Sequence, residues 1–332
     1  MARAVTIAAA FALAAAASPA LAQGASRDGG APLISLVVEN DLFAGRDGDY
    51  TNGLRAEYVA TEGALSPPLE WLVEIQPLFD PSTRELRQGV AISHQIYTAA
   101  DITDPNPPPG GHPYAGYLGV STFGAARTER EERTLALEIG LVGPSAGGEW
   151  VQSEWHALLD AKEPRGWDVQ LKDEVVFELS ADRVRRWRGP EAGGLDTDLI
   201  GHAGFSLGTL RTDLSLGATV RIGTGLEAGF LPPRIRPALG PTSVFSPPQA
   251  LAGYVFAGVG VYAIGRDIFL DGNTFKTSRS VDRHPVVADA QAGFAAFVGG
   301  HRVSFTFVMR TEQFSGQTRN NAFGAISVSR TF

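Results

Sequence analysis

The stretch Ala325-Ile326-Ser327-Val328-Ser329-Arg330-Thr331-Phe332 decides how the chain is read. Ile326, Val328 and Phe332 fall on one face of an extended strand, and Ser327, Ser329 and Thr331 on the other. The same alternation recurs upstream. Leu135, Leu137, Ile139 and Leu141 alternate with Thr134, Ala136, Glu138 and Gly140. Leu214, Leu216, Ala218, Val220 and Ile222 alternate with Ser215, Gly217, Thr219, Arg221 and Gly223. Leu171, Val175, Phe177 and Leu179 share a face opposite Lys172, Glu174, Glu178 and Ser180. Aliphatic residues on one face with small and charged residues on the other suit a barrel that is polar inside and faces lipid outside. A soluble sandwich also alternates, but its outward face is the polar one.

Twelve candidate strands follow, near 33–41, 51–60, 86–97, 114–127, 131–142, 168–186, 196–210, 212–224, 250–269, 286–298, 301–314 and 321–332. The expected fold is all-β, a twelve-stranded antiparallel transmembrane β-barrel with a short helix in an extracellular loop. An even count puts both ends in the periplasm, so strand 1 runs outward and the odd-numbered loops face the exterior. The helix spans about 149–159, where Trp150-Val151, Trp155 and Leu158-Leu159 recur at helical spacing and Gln152 and His156 are i,i+4 neighbours on another side. The final Phe332 resembles the last residue of bacterial outer-membrane barrels. At the other end, Arg3, an alanine-rich run over 4–17 and Ala20-Leu21-Ala22 form an expected export signal, 1–22, leaving a barrel over 23–332. No later stretch approaches the ~20 apolar residues of a spanning helix.

The chain has 39 Gly, 21 Pro and no Cys, so disulfides, cysteine nucleophiles and thiolate metal sites are excluded. Without Arg3, 27 basic residues face 36 acidic ones, a net charge of −9. Such a chain is a poor nucleic-acid binder but can bind divalent cations.

Four polar segments could carry chemistry. Glu39-Asn40-Asp41 is followed by Asp47, Asp49 and Tyr50-Thr51-Asn52-Gly53, an oxygen-rich run that suits a hard cation such as Ca²⁺ but equally an ordinary Asp/Asn/Gly turn. It lacks EF-hand spacing. Tyr97-Thr98 leads through a proline-stiffened connection to Pro113-Tyr114-Ala115-Gly116. His156, with Glu163 and then Gly166-Trp167-Asp168, offers a general-base pair, or else a surface histidine. Leu270-Asp271-Gly272-Asn273-Thr274-Phe275 is a turn signal. No HExxH, GxSxG or P-loop is present. Counting strands places all four segments on odd loops at the extracellular rim. One long connection, 226–249, falls on the periplasmic side with no evident purpose.

At these residues the chain resembles the outer-membrane lipid A 3′-O-deacylase family. The resemblance rests on Glu39-Asn40-Asp41, Tyr50-Thr51-Asn52-Gly53, Tyr97-Thr98 with Asp101-Ile102, Pro113-Tyr114-Ala115-Gly116, His156, Gly166-Trp167-Asp168 with Gln170-Leu171, Leu270-Asp271-Gly272-Asn273, Arg310-Thr311-Glu312 and Gln317, in order along the chain. It implies a twelve-stranded barrel and Ca²⁺-dependent hydrolysis of the ester-linked 3′-acyloxyacyl group of lipid A in the outer leaflet. It implies a site of Asn40, Asp41, Thr51 and His156, with Glu163 as the histidine's carboxylate and Glu149 or Glu154 as alternatives. A family lysine near the third strand has no counterpart within 97–116; Arg87 is the stand-in considered. In this reading Asn40 and Asp41 hold the cation, His156 activates water, Glu163 tunes it and Thr51 donates to the oxyanion. The partners are lipopolysaccharide and the outer-membrane bilayer, and the protein acts as a monomer. Two other classes stay open: a non-enzymatic barrel, either a narrow pore or structural, and a phospholipase-type barrel.

Overall fold

The structure is a computed structural model that describes residues 30–45, 48–75, 79, 85–240 and 242–332; the expected signal segment and Asp47 lie outside them. Twelve antiparallel strands close into one barrel, each paired with its sequence neighbours and the last with the first. They are β1 (Leu33–Asn40), β2 (Asp49–Val59), β3 (Glu85–Thr98), β4 (Ala115–Arg127), β5 (Glu131–Val142), β6 (Glu174–Arg188), β7 (Asp196–Gly208), β8 (Arg211–Gly223), β9 (Ala252–Asp267), β10 (Val286–Val298), β11 (His301–Arg310) and β12 (Asn321–Thr331). The C-terminal stretch is the closing strand, in register from Leu33↔Thr331 to Asn40↔Gly324. The expected bounds of β5 and β10 match. The sixth strand starts later than expected, at Glu174, because 166–169 form a 3₁₀ turn. The eleventh stops at Arg310.

The two faces of the wall differ in chemistry as the alternation requires. Ile92, Val120, Ile139, Phe177, Leu214, Leu216, Val259 and Phe294 are exposed on the outside, a belt suited to lipid. Glu57, Asp182, Asp198, Arg221, Arg302 and Arg310 are buried inside. Arg221 pairs with Asp198 and Arg310 with Asp289, while Arg302 donates to the Ser243 carbonyl. Unpaired, each buried charge would cost several kcal/mol.

Two connections at the end taken as periplasmic are more than turns. The first contains a helix that the sequence reading did not anticipate, α1 (Pro67–Ile75). Its Leu69 and Leu72, with Leu65 and Phe79, pack on Ala126, Leu135 and Ala181 of the outer wall, while Trp71 stays exposed. The second is the long segment between β8 and β9. It enters the lumen. Apart from Arg236 and Pro237, which are half-buried, every described residue of 228–245 is buried.

This segment is a plug with a base and a tip. At its base Gly229 bridges Phe245. Arg221 donates to the carbonyls of Leu226, Gly229 and Phe230, and Arg127 and Arg186 to those of Ala228 and Gly229. On the returning limb, Ser243 binds Glu57, Thr242 binds Glu132 and Arg302 donates to the Ser243 carbonyl. At the tip, the Ile235 N–H donates to Glu39 Oε1 (2.9 Å), near the opposite end of the barrel. Arg236 pairs with Asp182 and Glu178. Burial alone would push its guanidinium pKa down, but those carboxylates more than offset this and it ends raised. The wall makes room with glycine. A Cβ at Gly217 would lie 2.6 Å from Leu239, and one at Gly53 would lie 2.6 Å from Ile235. Beside Arg55, Glu138, Arg211 and Arg236 a cavity of ≈ 20 Å³ remains, room for about one water. Tyr97 stacks with Phe269 and His112 near the other mouth. The lumen is filled rather than open.

Candidate functional site

The candidate residues lie on the outward side of the wall, not in the lumen. In β1, Leu33, Ser35, Val37 and Glu39 point inward, so Asn40 is on the outward side. Asn40 pairs with Asn52 across β2. It also caps the 3₁₀ turn Asp41–Ala44, its Oδ1 accepting the Leu42 N–H at 2.8 Å. Asp41 is buried, and its Oδ2 accepts the Gly48 N–H at 2.7 Å. The turn lies over β12, where Gly324 leaves space for Phe43. Leu42 and Phe43 are exposed beside the Asn40-Asp41 pair.

Thr51 reaches the same face through a β-bulge. The β2–β3 register shifts between Tyr50 and Asn52, so Tyr50 turns into the lumen and Thr51 away from it. Its hydroxyl meets that of Thr98 at 2.8 Å, with both residues buried. Thr98, Ile96 and His94 share the outward side of β3 with exposed Val90 and Ile92. Asp49, at φ 66°, is held by the Gln317 amide at 2.9 Å. Gly48 passes against Ala99 and Ala100, where a Cβ would come within 3.0 Å of backbone.

Helix α2 (Gly148–Leu159) lies on this wall over β3 and β4. Close approach depends on glycine: a Cβ at Gly116 would sit 2.9 Å from the Gly148 nitrogen. Ile96, Ala99, Tyr114 and Trp167 form a buried cluster against Val151. Trp167 Nε1 donates to Gln152 Oε1 (3.0 Å), and the Arg165 N–H to the Ile102 carbonyl (2.8 Å). The usual amphipathic pattern is reversed. Gln152 and His156 are buried, whereas Trp150 is 69% exposed.

His156 Nδ1 lies 2.5 Å from the Lys162 carbonyl oxygen. A carbonyl can only accept, so Nδ1 carries a proton, and in the neutral ring the lone pair is then on Nε2. The expected partner is elsewhere: the Glu163 carboxylate is 74% exposed and pairs with Arg165. Glu149 and Glu154 are exposed as well. The backbone after α2 curls back through an αL cap at Asp160, and this brings a carbonyl rather than a carboxylate to the ring.

One other expectation is corrected. Arg87 sits at the opposite end of β3, bound to the Ala31 and Ala60 carbonyls, far from α2. The Asp271-Gly272-Asn273 segment is a clasp. Asn273 exchanges hydrogen bonds with the Lys172 backbone (2.9 and 2.7 Å), and Asp271 pairs with Arg283 (3.1 Å). The Lys162 carbonyl, Thr98 and Gln152 were not singled out from sequence for these contacts, because only tertiary packing creates them.

Among the described residues no three His, Asp or Glu side chains gather as a metal cluster. The donors present, the Asn40 amide and the Asp41 carboxylate, are hard oxygens. They fit a cation such as Ca²⁺, which also takes carbonyl and water oxygens.

A closed barrel with a lipid-facing belt and a filled lumen is an outer-membrane barrel. The family model described as "Outer membrane protein LpxR" matches residues 7–332, and the chain belongs to this family, the outer-membrane lipid A 3′-O-deacylases. It is therefore an ester hydrolase of the outer membrane. Among solved structures it is similar to LpxR from Salmonella typhimurium, at 20% identity and TM-score 0.72 over 90% of this chain and 100% of that one. It also matches the β-domain of the Bordetella autotransporter Brka, at 11% identity and TM-score 0.47 over 92% of this chain and 100% of that one. No curated protein matches it by sequence.

Proposed function

We propose that the deacylase reaction takes place between the outer wall and α2, with His156 as general base. The observation that carries this reading is the buried His156 whose Nδ1 is committed to the Lys162 carbonyl. Nε2 takes a proton from water as the water oxygen bonds to the 3′-ester carbonyl carbon. The tetrahedral adduct then releases the sugar 3′-oxygen, which recovers that proton from the imidazolium, and the acyl chain leaves as a carboxylic acid. Thr51 donates to the ester oxygen while its own oxygen accepts from Thr98. Asn40 and Asp41 hold Ca²⁺, which when bound supplies Lewis-acid polarisation of the carbonyl. Leu42 and Phe43 support seating of an acyl chain already in the leaflet.

The signal at 1–22 and action as a monomer complete the proposal; a closed barrel leaves no strand edge to pair. The test is His156→Ala in detergent-solubilised, folded protein. The expected loss in kcat is about 100- to 10,000-fold. Retained turnover would remove the histidine from the mechanism.

A further inference from the structure

The plug does more than close the lumen: we propose that its tip is a positioning element for the deacylase site on the other side of the wall. This rests on the reading of Asn40 given above.

Glu39 and Asn40 are consecutive in β1, so one faces the lumen and the other the lipid. They lie at the last pairs of the strand, where ladders fray. The register partners of Glu39 on the wall are Gly53 and Ala325, and the Tyr50 hydroxyl reaches it from β2. The plug supplies further contacts. The Ile235 N–H donates to Glu39 Oε1 at 2.9 Å, and Arg234 pairs with the same oxygen at 3.4 Å. Arg234 is held in turn by Gln291 (3.2 Å) and lies over the Phe323 ring at 5.1 Å. Gly53 supplies the space that Ile235 occupies.

The plug does not need these bonds to stay in place. Its base has separate anchors in Arg127, Arg186, Arg221, Arg302, Glu57 and Glu132. The tip contacts instead fix the one backbone position from which Asn40, and then Asp41, depart. Arg234 and Glu39 are thus positioning residues that act through Asn40.

The experiment measures kcat and KM for 3′-ester hydrolysis of lipid A in mixed micelles. Rates are expressed per folded barrel, counted by heat-modifiable gel migration. Displacement of a reacting group by about 1 Å can cost about 100-fold in rate. Glu39→Ala is expected to lose about 10- to 100-fold in kcat with KM within about twofold. Glu39→Gln keeps the acceptor for Ile235 and recovers most of the rate. Thr242→Val, which cuts one anchor at the base, leaves kcat unchanged. Arg234→Met is measured alongside, in case Glu39→Ala does not fold, and shows the same split. Glu39→Ala and Arg234→Met turning over at the normal rate while Asn40→Ala is inactive would overturn the proposal. So would a loss in Thr242→Val equal to that in Glu39→Ala. An active Asn40→Ala would instead remove the site reading beneath it, so the two failures are distinguishable.

Discussion

His156 and Lys162 are joined through the ring and the backbone: Nδ1 meets the Lys162 carbonyl at 2.5 Å, across the turn that ends α2. A backbone acceptor fixes the tautomer without adding a charge. It leaves the neighbouring carboxylates free of that task.

Glu163 is therefore expected to be dispensable. Its carboxylate faces solvent and Arg165, an exposed pair of the kind that contributes little. Glu163→Gln should retain kcat within about twofold. A loss of two orders of magnitude would return the orienting role to the carboxylate.

The seat of α2 depends on two glycines in contact, Gly116 and Gly148. Gly116→Val should push the helix from the wall. We expect an overpacking cost of about 1–3 kcal/mol and a severe loss of activity in barrels that still migrate as folded. Normal activity in this variant would mean that close seating of α2 is not required.

The filled lumen excludes a pore. The native protein in planar bilayers should show no steady conductance. Replacing 231–243 by a short glycine-serine bridge should open a channel, since Ala228 and Ser246 are already hydrogen-bonded at the plug's base (2.7 Å). Steady conductance in the native chain would revive the porin reading.

Much of this architecture is legible in the sequence because a membrane barrel imposes one rule on every strand. Leu135 to Leu141 and Phe294 to Val298 must alternate, and β5 and β10 end where that alternation ends. The plug obeys no such rule. Leu231-Pro232-Pro233-Arg234-Ile235-Arg236-Pro237 reads as an ordinary loop. Its burial follows from barrel closure, a tertiary event with no local period. Inward glycines such as 53 and 217 are a trace of it, and they acquire meaning only once Ile235 and Leu239 are seen against them. α1 was missed for a related reason: nine residues give too few turns for helical periodicity to stand out from a loop. Of the proposed site, Asn40, Asp41, Thr51 and His156 are legible as motifs. The Lys162 carbonyl was not, because a backbone acceptor leaves no signature in residue identity.

The central claim is that an outer-wall site built on Asn40, Asp41, Thr51 and His156 removes the 3′-acyl chains of lipid A with a hard cation. The most direct measurement is mass spectrometry of lipid A from outer membranes carrying the native chain or Asn40→Ala, incubated with Ca²⁺ or with a chelator. The account predicts loss of the 3′-linked acyloxyacyl mass only with the native chain and Ca²⁺. The same loss with Asn40→Ala, or undiminished loss in chelator, would contradict it.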